Sequence, residues 1–268
     1  LLTQATFNFY FLDFLSLSRN MLAIIGGTGM AQLPCLEISH RKIMRTPYGE
    51  PSGPLTFGRI KDNQVVFLAR HGYGHTIPPH AVNYRANLWA LQSLDLTRVI
   101  SVASVGGIRE DLIPGAIAIP DQIIDYTHGR KYTYYEGIEK PVTHIDFTEP
   151  YCPLTRTRLL DAAERAGKKV IDGGVYGATQ GPRLETAAEI NRLERDGVDM
   201  VGMTGMPEAA LAKELGLCYA TVAVVANYAA GRKTSAHQIR LEAAHAVLEK
   251  AMISVRNILE YVVELDVD

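Results

Sequence analysis

Short apolar runs, each closing on glycine or a small polar residue, alternate along this chain with stretches of helical periodicity. Leu22-Ala23-Ile24-Ile25 runs into Gly26-Gly27-Thr28-Gly29, and Gln64 to Ala69 into Arg70-His71-Gly72. Arg98 to Val102 runs into Ala103-Ser104-Val105-Gly106-Gly107, Asp199 to Gly202 into Met203-Thr204-Gly205, and Tyr219 to Ala226 into Asn227. Runs of this length and punctuation predict buried strands. Helices are predicted over Asn83 to Leu94, Leu154 to Ala166, Glu185 to Arg195 and Pro207 to Leu215, with Gly167 and Gly216 as stops. In a last helix Val247, Ala251, Val255, Ile258 and Val262 recur on one face. Asp125 to Pro150 holds Tyr126, Tyr132, Tyr134 and Tyr135 without a clear period, which predicts a long loop of the kind used for function or subunit contacts.

Strands alternating with helices predict an α/β fold with a largely parallel or mixed sheet and helices packed on it. The 268 residues suit one large domain, and no internal repeat, low-complexity tract or long linker divides them. Residues 1–20 differ from the rest. They are rich in Phe and Leu, and Met21 directly precedes the first strand. Asp13 interrupts the apolar run and Arg19 lies at the wrong end for a signal peptide. The segment is expected to be a non-native or upstream extension, with the domain occupying residues 21–268. It is also too short and interrupted to span a bilayer.

A net charge of −2 gives no global attraction to nucleic acid or acidic membranes, so neither is an expected partner. Cys35, Cys152 and Cys218 have no CxxC spacing. So sparse a set argues against a disulfide framework or structural zinc, and fits a reducing cytoplasm. His75, His80, His128, His144 and His237 are dispersed without an HExxH pattern, so no catalytic metal is expected. No GxSxG nucleophile elbow occurs.

In open α/β sheets the ligand sits beyond the carboxyl ends of the strands. Glycines there let backbone N–H groups approach an anion, and Thr, Arg and His add donors. Gly26-Gly27-Thr28-Gly29 lacks the full GxGxxG, since the sixth position is Ala31, so a plain tight turn and a dinucleotide loop are both open. Arg70-His71 offers a planar donor fork and an imidazole to a phosphate, against the alternative of a solvated Arg beside a core-edge His. Ser104 and Thr204, each alone a cap or turn residue, could complete one phosphate site with Thr28 and Arg70-His71. Glu185 is otherwise a first-turn carboxylate interacting with the helix dipole, and Asn227 reads equally as a capping or turn residue and as a ligand-facing amide.

Ile24 to Gly29, Leu68 to Gly72, Val82-Asn83-Tyr84-Arg85-Ala86-Asn87-Leu88-Trp89-Ala90-Leu91 and Gly202-Met203-Thr204-Gly205-Met206-Pro207-Glu208 together resemble the methylthioadenosine phosphorylase branch of the purine nucleoside phosphorylase family. The resemblance runs from about Met21 to the last helix. It implies a single-domain α/β fold with a mixed central sheet, barrel-like closure and flanking helices, usually as a homotrimer. It implies phosphorolysis of a purine nucleoside, with inorganic phosphate as co-substrate and no cofactor. By position, Thr28, Arg70, His71 and Thr204 would hold phosphate and Met203 would lie along the ribose. Leu184 stands where the family commonly has Phe against the base. Ala103 stands where methylthioadenosine phosphorylases tend to carry Thr, so Ser104 or backbone N–H groups would take that place.

The base site departs further. Adenine-specific members resemble Asp-Tyr-Asp where this chain reads Asn227-Tyr228-Ala229, and the resemblance implies that these three residues, with Leu184, Glu185 and Met203, bind the nucleoside. Asn227 can donate to O6 or N7 of a 6-oxopurine. Glu185 falls where 6-oxopurine-specific members have a Glu facing N1–H; adenine N1 is an acceptor and would be repelled. The expected substrate is therefore S-methyl-5′-thioinosine, cleaved to hypoxanthine and methylthioribose 1-phosphate, with Asn227 as the catalytic residue. Methylthioadenosine and inosine or guanosine are the enzyme alternatives; a dinucleotide-dependent oxidoreductase and a non-catalytic nucleoside-binding protein are the others. His237 is open to a 5′-hydroxyl contact or an exposed helix position.

Overall fold

The computed structural model describes residues 21–30, 32–138 and 141–265; the expected extension over residues 1–20 lies outside them. The strands are β1 Leu22–Gly26, β2 Glu37–Lys42, β3 Leu55–Ile60, β4 Asn63–Ala69, β5 Arg98–Gly107, β6 Ile117–Ile119, β7 Gln122–Asp125, β8 Ile171–Asp172, β9 Val175–Ala178, β10 Met200–Gly202 and β11 Cys218–Tyr228. The α-helices are α1 Tyr84–Gln92, α2 Pro153–Arg165, α3 Ala187–Arg195, α4 Gly205–Glu214 and α5 Leu241–Leu265. All strands join one mixed sheet, in the path β2-β3-β4-β1-β5-β10-β9-β7, with a branch from β5 through β11 and β6 to β8. The ladders do not join into a closed barrel among the described residues.

Side-chain alternation along the central strands divides the core. Leu22 and Ile24 of β1, Phe67 of β4 and Val222 of β11 face α2 and α5, meeting Leu159, Leu248 and Val255. Ala23 and Ile25, with Val66, Leu68 and Ala223, face α1 and α4 on the other side, meeting Leu88, Leu91, Ala209 and Leu211. Strands buried on both faces read as continuous apolar runs, which is why these were legible.

Along one edge β5 pairs with β1 at Arg98 to Ser101 and then with β10 at Gly106 and Gly107, while β11 follows its other edge. Among the described residues, the edge of β5 at Ala103 and Ser104 thus has no strand beside it on the forked side. A ligand crevice is expected where neighbouring strands diverge.

Two strands outrun the sequence expectation. Ala103 to Gly107 continue β5, and Asn227-Tyr228 continue β11 past a register shift between Val225 and Asn227. The glycines serve close packing here: a Cβ on Gly107 would collide with the Leu112 carbonyl, and one on Gly106 would press on Val201 and Ala229. α3 starts later than expected. Thr186 is its N-cap in a capping box with Glu189, which leaves Glu185 ahead of the helix. Residues 126–138 and 141–152 form no strand or helix, as the loop reading required. A further correction concerns the cysteines. Cys152 and Cys218 are joined, with Cα atoms 5.0 Å apart, because the N-terminus of α2 packs on the start of β11. They lie 66 residues apart, a pairing no local spacing could announce.

Candidate active site

A cavity of about 510 Å³ opens at the fork in the sheet. Thr28, Arg70, His71, Ala103, Ser104 and Thr204 all line it, and so do Leu184, Glu185, Met203, Asn227 and Ala229. Tyr228 does not. Strand alternation turns its side chain into a separate cavity beside Arg109 and Lys233. His237 is absent from the lining, whereas His245, four residues along α5 from Leu241, is present.

Arg70 differs most from expectation. Its side chain is fully buried, and its fork is turned away from a ligand: Nε and Nη2 donate to the two oxygens of Glu208 at 2.6 and 2.8 Å. Nη2 also donates to Ser101 Oγ at 2.6 Å, and Nη1 to the Val102 carbonyl at 3.1 Å. Of the guanidinium's five N–H groups, a single one on Nη1 remains for the cavity. Burial alone would lower the Arg70 pKa, but the Glu208 carboxylate more than offsets this and holds it above its usual value. Nη1 lies directly under Gly27, where any Cβ would meet it at 2.8 Å. That glycine is required by this close approach.

His71 is equally constrained. Burial, with Arg70 and then His75 alongside, pushes its pKa down to about 4, so the ring is neutral at pH 7. Nδ1 lies 2.8 Å from the Ile77 carbonyl, which can only accept, so Nδ1 carries the proton and Nε2 is left as an acceptor. An oxyanion that keeps a proton can donate to it. The unfolded chain takes up this proton near pH 6.5 and the folded chain only near 4, so His71 costs stability as pH falls through that window. His71→Gln is expected to flatten the fall in unfolding free energy between pH 6.5 and 4, checked by denaturant titrations of both proteins across that range.

Thr28 Oγ1 lies 3.2 Å from His75 Nε2, in the loop after β4 that also supplies Thr76 and Ile77 to the cavity. Thr204 caps no N–H of α4, and Ser104 is half-buried at the fork. Glu185 accepts the Thr179 hydroxyl at 2.6 Å, which holds its carboxylate and leaves oxygen lone pairs for a donor. Neighbouring Arg183 is instead paired with Glu189. The Asn227 Nδ2 donates to the Tyr228 carbonyl at 2.7 Å; a second N–H and the amide oxygen remain. Ala229 is buried, its N–H bonded to the Gly107 carbonyl. Arg130 ties the long loop over this region by donating to the carbonyls of Met203, Met206 and Gln180. Ile239, Leu241, Ala244 and Leu248 give the cavity an apolar wall. Among the described residues no cluster of three or more His, Cys, Asp or Glu side chains could hold a metal ion.

Residues 21–264 match the phosphorylase superfamily. The chain belongs to that superfamily. It is 55% identical over 210 residues to a Xanthomonas campestris protein named "Probable S-methyl-5′-thioinosine phosphorylase", covering 78% of this chain and 84% of that protein. It is 50% identical over 215 residues to the 6-oxopurine nucleoside phosphorylase of Pyrococcus furiosus, covering 78% and 80%. Among solved structures, the methylthioadenosine phosphorylase of Schistosoma mansoni in complex with adenine superposes with a TM-score of 0.88. The identity there is 33%, with 91% of each chain covered. The chain is thus a nucleoside phosphorylase by fold and by relationship, which removes the oxidoreductase alternative.

The wall on α5 and the loop after β4 escaped the sequence reading. Leu241, Ala244 and Leu248 lie on α5 outside the periodic set Val247, Ala251, Val255, Ile258 and Val262, and Ile239 lies just ahead of that helix. Nothing in the spacing of His75 to Pro79 shows that the loop folds back on the strand ends.

Proposed function

We propose that this superfamily member cleaves S-methyl-5′-thioinosine with inorganic phosphate, giving hypoxanthine and S-methyl-5-thioribose 1-phosphate. The observation that carries the reading is the joint presence of Glu185 and Asn227, without a pair of aspartates, in the cavity that holds the phosphate candidates. Relatives named for methylthioinosine and for 6-oxopurine nucleosides support the same base choice.

In this reading phosphate lies among Thr28, Arg70, His71, Ser104 and Thr204. Arg70 supplies its last Nη1–H, the hydroxyls donate, and His71 Nε2 accepts a phosphate proton. Phosphate oxygen attacks the anomeric carbon opposite the base as the glycosidic bond breaks, and that bond's electron pair flows into the purine. Asn227 donates to the base as charge grows at N7 and O6, an interaction stronger in the transition state than in the ground state. Glu185 accepts N1–H, with Leu184 against the base and Met203 along the ribose. Ile239, Leu241, Ala244 and Leu248 suit a methylthio group, since burying its apolar surface against them is favourable. A 5′-hydroxyl nucleoside such as inosine is the second reading, favoured by His245 in the same lining.

The enzyme is further proposed to act without metal or cofactor, as a homotrimer. Tyr132, Ile138 and Val142, exposed on the long loop, support a subunit contact there. No helix among the described residues is long and apolar enough to cross a membrane. The test is base release from methylthioinosine and inosine with and without phosphate. Hypoxanthine formed only with phosphate, and faster from methylthioinosine, is the expected result. Equal release in phosphate-free buffer would refute phosphorolysis.

A further inference from the structure

Behind Arg70 lies a buried chain of polar groups, Glu208, Tyr219 and Thr221, that the mechanism above does not use. Thr221 Oγ1 donates to the Tyr219 hydroxyl at 3.2 Å, Tyr219 donates to Glu208 Oε1 at 2.8 Å, and Glu208 receives both arms of Arg70. All four residues are at most 1% exposed. A bare guanidinium at this place would put a whole positive charge against the oxyanion. The pair puts there one N–H of a neutral unit instead.

We propose that Glu208 is a positioning residue that sets how tightly the enzyme holds phosphate, restraining Arg70 so that the oxyanion is oriented without being overbound. The inference rests on the phosphate site proposed above. An anion gripped by an uncompensated buried cation is a poorer nucleophile, because the interaction stabilises the bound phosphate more than the transition state, in which part of its charge has passed into the forming bond. Tyr219 moderates the carboxylate: its O–H withdraws part of the negative charge that would otherwise act on Arg70.

The test is steady-state kinetics with inorganic phosphate and methylthioinosine on wild type, Glu208→Gln, Glu208→Asp and Tyr219→Phe. Removing the charge in Glu208→Gln is expected to lower the phosphate KM about threefold or more and kcat about tenfold or more, since Arg70 is then a net cation at low dielectric. The nucleoside KM should stay within about twofold, and phosphate should raise the Tm of this variant more than that of wild type. Glu208→Asp, which restores the charge, should return the phosphate KM towards wild type. Tyr219→Phe leaves the carboxylate fully charged and should move the phosphate KM the other way, up about twofold. General loosening of the site would raise both KM values, so the opposed shifts are the signature of positioning. A phosphate KM that rises or stays constant in folded Glu208→Gln overturns the inference. If that variant does not fold, an unchanged or lower phosphate KM in Tyr219→Phe overturns it. Wild type that releases base without phosphate would instead defeat the functional reading itself.

Discussion

Asn227→Ala is expected to reduce kcat on S-methyl-5′-thioinosine by about 10²–10³-fold, the range for losing one preorganised donor at a developing anion. The nucleoside KM should change far less, because the hydrogen bond to the purine matters most once electrons from the glycosidic bond have reached the ring. The structure explains why the group is so well placed. Asn227 sits just past an irregularity in β11, and its amide is fixed by donating to the Tyr228 carbonyl, which leaves one N–H for the base. Alanine removes the donor without adding bulk, so the fold should tolerate it. Comparing single-turnover rates with equilibrium nucleoside binding would separate the two effects. Equal losses in both would mean that Asn227 merely binds.

The second large effect is a change of base. Glu185→Ser, Asn227→Asp and Ala229→Asp together remove the carboxylate facing N1 and place two carboxylates where an exocyclic amine and a protonated N7 can donate. The ratio of kcat/KM for methylthioadenosine over methylthioinosine should rise about 10²-fold in the triple variant, as new attraction and removed repulsion act together. Each single change should chiefly damage methylthioinosine cleavage. The effects should be non-additive, because Glu185, Asn227 and Ala229 line one cavity. Absolute rates will be poor for structural reasons. Thr179 loses the acceptor it now has in Glu185, and an aspartate at position 229 enters a site only 1% exposed. Ala229→Asp should accordingly lower the Tm in the absence of ligand. A ratio unchanged across all variants would show that these positions do not face the base.

What the sequence disclosed follows from which forces are local. Leu22 to Ile25, Val65 to Leu68 and Tyr219 to Ala226 are buried on both faces, so their apolar runs announced the centre of the sheet. β2, exposed at every position, and the two-residue β8 carry no such pattern and are strands only because neighbours pair with them. The same division holds in the site. Eleven of the twelve candidate side chains fall on one cavity because strand ends converge there. The state of those side chains was not legible. That Arg70 has most of its donors committed depends on Glu208, 138 residues away, and that His71 is neutral depends on burial and on the Ile77 carbonyl. Tyr228 was misplaced because its neighbours in the motif line the cavity while alternation along the strand turns it aside.

The decisive measurement is the ratio of kcat/KM for S-methyl-5′-thioinosine over S-methyl-5′-thioadenosine, with both nucleosides assayed on one preparation of the wild-type enzyme at saturating phosphate. Adenine would present an acceptor to Glu185 and would find no carboxylate for its amine, and each mismatch costs ~1–3 kcal/mol. A ratio of about 10² or more is expected. A ratio at or below unity would contradict this base choice.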